Sequence, residues 1–202
     1  MTDQYQKRSA PSAERNQGPI GVQLGTLLPE HAHVLEIASG TGQHGAGFTQ
    51  LRPDIIWQYS DIDPEAMGSQ AAYATENPEQ LMSPIPVDVM VEDWWQDIAD
   101  ISVIYCANMI HIAPWAAAKG LAQGAGALLS TGGQFILYGP FLLGPDSAQS
   151  NLDFDQNLKR RNPAWGVREI QGVENLFKQH GLVLDKTIPM PRDNFLLVFR
   201  TL

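Results

Sequence analysis

The stretch 34–44, with the sequence VLEIASGTGQH, constrains the fold more than any other part of the chain. It is typical of a short apolar strand with an acidic residue near its end, a turn with two nearby glycines, and the first turn of a helix. Glycines let a ligand approach the backbone closely, and the first N–H groups of a helix are free to bind it. The stretch therefore predicts an α/β fold with a ligand at the glycine turn.

Strand and helix patterns alternate along the rest of the chain. Strands are predicted at 33–37, 55–59, 85–89, 101–106, 133–138, 182–188 and 195–200. Helices are predicted at 19–28, 42–51, 64–75, 114–129, 151–161 and 167–180. The last two strands are joined by a segment too short for a crossover helix, so we expect them to pair antiparallel. The pattern predicts a mostly parallel sheet of seven strands with an antiparallel C-terminal strand and helices on both faces.

Length and composition are typical of one globular domain over residues 1–202, with 44% hydrophobic and 17% charged residues. We expect residues 1–13 to be flexible and residues 139–166 to cover the substrate, because long segments after a core strand are usually functional. No apolar run reaches the roughly 18 residues of a membrane span. The N-terminus lacks the apolar core of a secretory signal, and the single cysteine, Cys106, fits a reducing compartment. We therefore expect a cytoplasmic protein.

The formal net charge of −9 argues against nucleic acid as a partner, because an acidic protein repels the phosphate backbone. Basic residues cluster only at 159–161, which is too few for a duplex-binding face. A small-molecule substrate is the better expectation. His31 and His33 alternate across a strand start and there is no cysteine cluster, so the sequence indicates no metal site. Nothing in it indicates an oligomeric state.

The glycine turn admits two kinds of ligand. Residues 40–45 match the dinucleotide fingerprint G-x-G-x-x-G, and Asp61 follows about 20 residues later, as that fingerprint requires. Glu36 argues against a dinucleotide, because a pyrophosphate at the turn would meet an unneeded anion. An ammonium group and a sulfonium would be attracted to Glu36, and S-adenosylmethionine carries both. S-adenosylmethionine is therefore favoured, and an NAD-dependent oxidoreductase remains the alternative.

The segment 36–42, EIASGTG, resembles the first motif of class I S-adenosylmethionine-dependent methyltransferases, although Ala38 stands where that motif usually has its first glycine. The whole chain also resembles the methyltransferase-like protein twenty-six family, long catalogued as a domain of unknown function. The matching stretches are 13–20, 36–44, 60–64, 106–111, 138–141 and 161–168. The resemblance implies a Rossmann-like class I methyltransferase fold, S-adenosylmethionine as cofactor, and methyl transfer to an unidentified acceptor. A cofactor-binding protein without catalytic activity on the same scaffold is a second alternative.

The resemblance also implies roles for residues near the first two strands. Gly40 and Gly42 would lie against the methionine part of the cofactor, and Glu36 would face its ammonium group. The alternative for Glu36 is a carboxylate that caps nearby backbone N–H groups. Asp61 would bind both ribose hydroxyls, since a carboxylate offers two acceptor oxygens. Asp63 competes for that role but also has the position of a helix cap before Pro64.

Further candidates follow the third and fourth strands. Asp88 or the backbone of Val89 could meet the adenine amino group. Asn108, Met109 and His111 follow the fourth strand, and ligands of open α/β sheets bind outside the carboxyl ends of the strands. Asn108 could orient cofactor or substrate. His111 could act as a general base, because the unperturbed pKa of histidine lies near neutrality; the alternative is a buried structural histidine.

The remaining candidates lie elsewhere in the chain. Arg15 belongs to an N-terminal segment that could fold over the cofactor and hold its methionine carboxylate. His44, in the first helical turn after the glycines, could contact the cofactor or simply cap or pack there. Four residues in or after the fifth strand are candidates for lining the substrate: Tyr138, Phe141, Arg161 and Trp165.

Overall fold

The computed structural model describes residues 6–201. Within them, eight strands form one mixed sheet: β1 (His33–Ile37), β2 (Ile56–Asp61), β3 (Leu81–Pro86), β4 (Val103–Ala107), β5 (Gln134–Leu142), β6 (Arg168–Glu169), β7 (Leu182–Met190) and β8 (Asn194–Thr201). The α-helices of the described residues are α1 (Pro11–Leu27), α2 (Gln43–Leu51), α3 (Pro64–Ala74), α4 (Trp115–Leu128), α5 (Gln149–Arg161) and α6 (Ile170–Lys178). One turn of 3-10 helix spans Gly144–Asp146.

The chain folds into two compact units, and β4 contributes residues to both. The first unit runs up to Asp88 and includes Asp100–Tyr105. In it β1 pairs parallel with β2, and β2 pairs parallel with β3. The last four residues of β1 are buried on both faces of the sheet, which explains the continuous apolar pattern of this strand.

The second unit contains Val89–Ala99 and the chain from Cys106 onward. Strand β8 pairs antiparallel with both β5 and β7, and β6 pairs parallel with β5. Its core contains three packed phenylalanine rings: the ring of Phe177 lies 4.6 Å from that of Phe135, tilted to it, and 4.7 Å from that of Phe199, stacked on it. Aromatic rings at such separations pack favourably and anchor α6 against the antiparallel strands.

The predicted fold class is confirmed, because the sheet is mixed, mostly parallel, and ends in antiparallel strands. The predicted count of seven strands is wrong by one. The eighth is β6, a two-residue strand where a helix was expected from residue 167, and α6 begins only at Ile170. The third strand is displaced from 85–89 to Leu81–Pro86. It contains Pro84 and Pro86, which an edge strand tolerates because it pairs on one side only.

The N-terminal region differs from the prediction. Helix α1 begins at Pro11 and contains Pro19, which was expected in its first turn. Of the segment 1–13, residues 1–5 lie outside the described residues. The N–H of Arg8 donates to Ser69 Oγ at 2.8 Å, and the N–H of Ala10 donates to Gln43 Oε1 at 2.6 Å. The described part of the segment is therefore tied to α2 and α3.

The segment 139–166 is mostly regular structure. Strand β5 continues to Leu142, and α5 occupies Gln149–Arg161. The predicted helix at 151–161 is therefore confirmed, two residues longer at its start. Whether the segment covers a substrate stays a prediction.

Candidate functional site

The turn after β1 is built from residues in the left-handed conformation. Ala38, Gly40 and Gly42 have φ angles of +56°, +57° and +86°. Ala38 thus adopts the conformation that the glycine of the usual motif would adopt, at a cost of about 1 kcal/mol. A Cβ added at Gly42 would lie 3.1 Å from Gln70 Cα, whereas one added at Gly40 would meet no described atom within 4 Å. The backbone at Gly40 is therefore open to a ligand.

Asp61 at the end of β2 is joined directly to this turn. Its Oδ2 accepts the N–H of Gly40 at 2.8 Å, and its Oδ1 accepts the N–H groups of Ile62 at 2.8 Å and Asp63 at 3.0 Å. The amide Nε2 of Gln70 is a fourth donor, at the long distance of 3.5 Å from Oδ2. An ionised carboxylate has about four acceptor positions, so a ligand hydroxyl would take the place of this long contact. Asp63 is exposed, and its Oδ1 accepts the N–H of Glu65 at 3.0 Å. Its predicted role as the cap of α3 is confirmed.

Helix α3 fixes the turn from another side. The amide Nε2 of Gln70 donates to the carbonyl oxygen of Gly40 at 2.9 Å, and Ser69 Oγ donates to the carbonyl oxygen of Thr41 at 2.7 Å. Gln70 is fully buried, and its Oε1 has no hydrogen-bond partner among the described residues. The turn is therefore held rigidly by side chains that the sequence did not single out.

Glu36 is 2% exposed and lies among aromatic rings. The indole N–H of Trp57 donates to Glu36 Oε2 at 2.9 Å. The other oxygen, Oε1, lies 3.7 Å from His44 Nδ1, which is longer than a hydrogen bond. Glu36 thus accepts its hydrogen bond from an indole, and not from the backbone N–H groups that the alternative interpretation proposed. Its second oxygen, Oε1, can still accept a hydrogen bond.

His44 packs in the same aromatic cluster. Its ring lies 5.3 Å from the ring of Phe48, and its Nδ1 lies 3.5 Å from the hydroxyl of Tyr105. Its Nε2 is buried without a hydrogen-bond partner among the described residues.

The hydroxyl of Tyr59 donates to the carbonyl oxygen of Gly42 at 2.7 Å. Burial and then the charge of Glu36 raise the pKa of Tyr59, so this hydroxyl stays a neutral donor.

The remaining cofactor candidates lie away from the glycine turn in sequence. Arg15 is exposed on α1 and makes no hydrogen bond or ion pair within the described residues. Asp88 is half-buried two residues after β3. In the second unit Val89 is buried, and a Cβ added at Gly120 of α4 would lie 1.8 Å from its carbonyl oxygen. The backbone at Val89 is therefore packed tightly against α4.

The second unit brings Asn108 and His111 together beside Gly139. Asn108 has a φ of +57°, and its N–H donates to the carbonyl oxygen of Tyr138 at 2.8 Å. A Cβ added at Gly139 would lie 3.5 Å from His111 Nδ1 and 3.7 Å from Asn108 Oδ1. Met109, between the two polar residues, is half-buried. Asn108 and His111 therefore both lie close to Gly139.

His111 is 5% exposed, and the environment changes its chemistry. Burial, followed by the positive charge of Arg168, lowers its pKa to about 4. The environment of His111 therefore moves its pKa away from the unperturbed value near neutrality. The imidazole is neutral at pH 7 and can accept a proton, although as a weaker base than an exposed histidine. The ring of Phe154 meets it edge-on at 5.7 Å.

Arg168 at the start of β6 organises the chain around His111. Its Nε donates to the carbonyl oxygen of Ile110 at 3.1 Å, and its Nη2 donates to those of Ala113 at 2.7 Å and Ala164 at 3.1 Å. Its guanidinium lies over the indole of Trp115, 5.5 Å from the ring centre. No local pattern in the sequence indicates this role of Arg168.

The four predicted substrate residues have two kinds of environment. Tyr138 and Phe141 on β5 are 3% and 1% exposed and belong to the core. Burial is the main cause that raises the pKa of Tyr138. The guanidinium of Arg161 lies 5.4 Å from the ring centre of Trp165, and both side chains reach the surface. Arg161 and Trp165 thus form an accessible cation–π pair.

Some of the residues missed by the sequence analysis had a readable signal. Trp57 and Tyr59 are two residues apart on the predicted second strand, so their side chains lie on the same face of the sheet. The nearby sequence does not indicate which residues pack against that face. Arg168 ends the stretch 161–168 used for the family resemblance. No group of three or more metal-ligating side chains comes together within residues 6–201, and in that range no helix is long and apolar enough to cross a membrane.

A family model described as "Protein of unknown function (DUF938)" matches residues 7–201. This match covers almost the whole chain, including both the glycine turn and the His111 cluster.

Three solved structures that match this fold carry the word methyltransferase in their names. An O-methyltransferase family protein from Burkholderia thailandensis has a TM-score of 0.80 and 13% identity, over 94% of this chain and 57% of that chain. An O-methyltransferase family 2 protein from Planctomyces limnophilus in complex with apigenin has a TM-score of 0.78 and 15% identity, over 95% and 60%. CalO1, a methyltransferase in calicheamicin biosynthesis in its SAH-bound form, has a TM-score of 0.75 and 13% identity, over 95% and 54%.

The chain therefore spans little more than half the length of these three proteins. At such identities the likeness shows the fold alone, which is the Rossmann-like fold of class I methyltransferases.

Proposed function

This chain belongs to the family described as "Protein of unknown function (DUF938)", and on that premise we propose that it is an S-adenosylmethionine-dependent methyltransferase acting on a small-molecule acceptor. The observation that carries the proposal is the hydrogen bond from the N–H of Gly40 to Asp61 at 2.8 Å. In a dinucleotide site the backbone of this turn approaches a pyrophosphate. Here the N–H of Gly40 is already engaged by the Asp61 carboxylate, so it is not free to bind a phosphate. The carboxylate of Glu36 at the end of the preceding strand would also repel a phosphate, whereas the phosphate-free cofactor brings an ammonium group to it.

In the first unit we assign the methionine and ribose parts of the cofactor. Gly40 and Gly42 lie against the methionine, and the open face of Gly40 supports this role. Glu36 receives the ammonium group at Oε1, which Trp57 leaves available. Asp61 accepts the ribose hydroxyls, which share its two oxygens with the backbone N–H donors and displace the long contact of Gln70. Three further candidates follow from the resemblance: Arg15 for the methionine carboxylate, His44 for a cofactor contact, and Asp88 for the adenine.

In the second unit we assign Val89, Met109 and Asn108 to the adenine end of the cofactor and to the substrate. The transfer is an in-line displacement at carbon, so the protein mainly supplies alignment and proton removal. His111 is the proton acceptor for an oxygen or nitrogen nucleophile. Its low pKa supports this role to the extent that the imidazole is unprotonated at pH 7.

The acceptor side of the proposal rests on the segment 139–166 as a cover within a single domain. Arg161 and Trp165 present an accessible cation–π pair there, and Tyr138 and Phe141 shape the wall from the core. The net charge of −9 supports a small molecule over nucleic acid. We further place the chain in the methyltransferase-like protein twenty-six family and in the cytoplasm. These two assignments come from the matching stretches and from the single cysteine.

Calorimetry with purified protein tests the cofactor. We expect S-adenosylmethionine to bind and to raise the melting temperature, as mass action requires. No binding at millimolar cofactor would refute the proposal. Binding of NADH in its place would support the oxidoreductase.

Asp61→Ala and Asp63→Ala make a matched pair, because both remove one carboxylate two positions apart. Loss of hydrogen bonds to a charged group costs about 1.5–3 kcal/mol, which corresponds to roughly 10–100-fold in affinity for Asp61→Ala. Asp63→Ala removes only the cap of α3, so we expect a loss of about 1 kcal/mol in stability and unchanged affinity. The reverse order would assign the ribose to Asp63.

A transfer assay separates an enzyme from a cofactor-binding protein without activity. Radiolabelled methyl from S-adenosylmethionine is offered to fractionated small metabolites, and incorporation is measured. We expect label in a small-molecule fraction and its loss in His111→Gln. Cofactor binding without transfer to any fraction would favour the interaction protein.

A further inference from the structure

We propose that Arg168 is a positioning residue that clamps the segment 110–113 and thereby presents the imidazole of His111 to the methyl acceptor. The inference rests on the proposed function, because His111 is the proton acceptor assigned there. Arg168 touches neither cofactor nor acceptor in this scheme, and it acts only through His111.

The clamp is visible in the hydrogen bonds of the guanidinium. It binds the carbonyl oxygens of Ile110 and Ala113, which flank His111 in the chain, and that of Ala164, which follows α5. A second tie joins the same two segments, because the N–H of Gly166 donates to the carbonyl oxygen of His111 at 3.0 Å. A planar fork with five donors suits this arrangement, and a single ammonium does not.

A strand and a helix support Arg168 in this position. Arg168 pairs with Phe141 in the register of β6 and β5, so its backbone is held by the sheet. Its guanidinium rests over the indole of Trp115, the first residue of α4. A side chain supported on both sides loses little further freedom when it binds the three carbonyl groups. The segment 110–113 is therefore tied to α4 and to β5 through one residue.

The same side chain influences the charge state of His111. Burial is the larger cause that lowers the pKa of His111, and the positive charge of Arg168 adds to it. The other charged groups of this cluster are Asp155 and Lys159 of α5, which form an ion pair at 2.6 Å. Asp155 Oδ1 also accepts the N–H of Val167 at 2.9 Å. The positive charge of Arg168 thus adds to the effect of burial, and both favour the unprotonated imidazole.

Two substitutions separate the clamp from the charge. Arg168→Lys keeps the cation but cannot span three carbonyl groups, whereas Arg168→Met removes both functions and keeps much of the apolar stem. The readouts are amide exchange at Gly166 and Ile112, the imidazole titration of His111 by NMR, and the affinity for S-adenosylmethionine. His111→Gln identifies the titrating resonance.

We expect both variants to speed exchange at Gly166 about tenfold, the factor that corresponds to 1.4 kcal/mol of local stability. Only Arg168→Met should raise the midpoint of the His111 titration, because Arg168→Lys retains the charge. The affinity for S-adenosylmethionine should stay within about threefold in both, since Arg168 is assigned no cofactor contact.

Arg161→Met is the matched control for exchange and titration. Arg161 also lies over an indole, at 5.4 Å compared with 5.5 Å for Arg168, but within the described residues it donates to no carbonyl group. Its removal should change neither the exchange of Gly166 nor the titration of His111. An equal effect of both arginines would overturn the proposal.

Unchanged exchange and unchanged titration in both Arg168 variants would also overturn it. If Arg168→Met does not fold, the rate of amide exchange at Gly166 in Arg168→Lys alone tests the proposal. Failure of both variants to fold would make Arg168 a folding residue and contradict the proposal. Wild-type protein that binds no S-adenosylmethionine would refute the proposed function, while the exchange and titration data would still decide the role of Arg168.

Discussion

The substitution Gly45→Ala would test whether the packing of the Trp57 indole holds the buried carboxylate of Glu36. Gly45 lies in the first turn of α2, directly above β2. A Cβ added there would lie 2.5 Å from Trp57 Cδ1 and 2.6 Å from both Trp57 Nε1 and Tyr59 Cε1. Both rings are fully buried, so they have no free space into which to move. The indole that donates to Glu36 must therefore shift.

The expected magnitude follows from three opposing effects. Glycine to alanine inside a helix gains about 1 kcal/mol from helix propensity. Overpacking a close-fitting core costs roughly 1–3 kcal/mol. Displacement of the indole from the carboxylate costs a further 1.5–3 kcal/mol or so. The balance is a destabilisation of about 1.5–5 kcal/mol, or roughly 3–20 °C in Tm for a chain of this length.

Thermal and urea unfolding of Gly45→Ala, Gly172→Ala and Gly47→Ala measure the effect. Gly172 in α6 has no described atom within 4 Å of an added Cβ, so its substitution should raise Tm by about 1–3 °C. The Cβ added at Gly47 meets only the end of the Gln17 side chain, which can swing away, so that variant should lie between the other two. If Gly45→Ala is as stable as Gly172→Ala, the argument that Trp57 is rigidly packed is wrong.

Three further predictions concern single positions. Ala38→Gly should raise stability by about 0.5–1 kcal/mol in urea unfolding, since glycine adopts a φ of +56° without strain, and a loss of stability would contradict this. Trp57→Phe should cost about 1–3 kcal/mol and weaken S-adenosylmethionine binding in calorimetry, because Glu36 loses its donor; unchanged affinity would separate Glu36 from the cofactor. The pKa of His111 falls from about 6.5 unfolded to about 4 folded. The contribution of the neutral imidazole to the free energy of unfolding is therefore complete above pH 6.5 and is lost as the pH falls to 4. Between these pH values the wild type should lose about 3 kcal/mol more than His111→Gln. Parallel curves of stability against pH for the two proteins would contradict the pKa shift.

Elements with local signals were predictable from the sequence. Strand β1 has the predicted bounds, and α3 begins at Pro64 behind the cap of Asp63, because caps and apolar runs act over a few residues. The start of α1 was not predictable, since Pro11 and Pro19 are equally good first residues by local rules. Strand β6 consists of two residues and exists only through its pairing with β5.

The candidate site also combines features that the local sequence indicates with contacts that it does not. The glycine turn and Asp61 could be predicted, because their spacing is visible in the sequence. The contacts that hold the site join distant positions: Trp57 to Glu36 across 21 residues, Gln70 to Gly40 across 30, and Arg168 to Ile110 across 58. No periodicity encodes such pairs. The pKa of His111 escaped prediction for the same reason, since both its burial and the charge near it arise from tertiary structure.

The dinucleotide fingerprint at residues 40–45 shows what such a motif does and does not encode. Its third glycine serves close packing between helix and strand, and Gly45 does so here against Trp57 and Tyr59 of β2. Its first two glycines make a tight turn, and Gly40 and Gly42 have the positive φ angles of such a turn. These requirements are common to any strand, turn and helix packed in this way, so the glycines specify backbone geometry and leave the ligand open. An acid at the end of β2, here Asp61, also belongs to the dinucleotide fingerprint and does not discriminate between the ligands. Glu36 near the carboxyl end of β1 does, because a pyrophosphate and a sulfonium experience its charge with opposite sign.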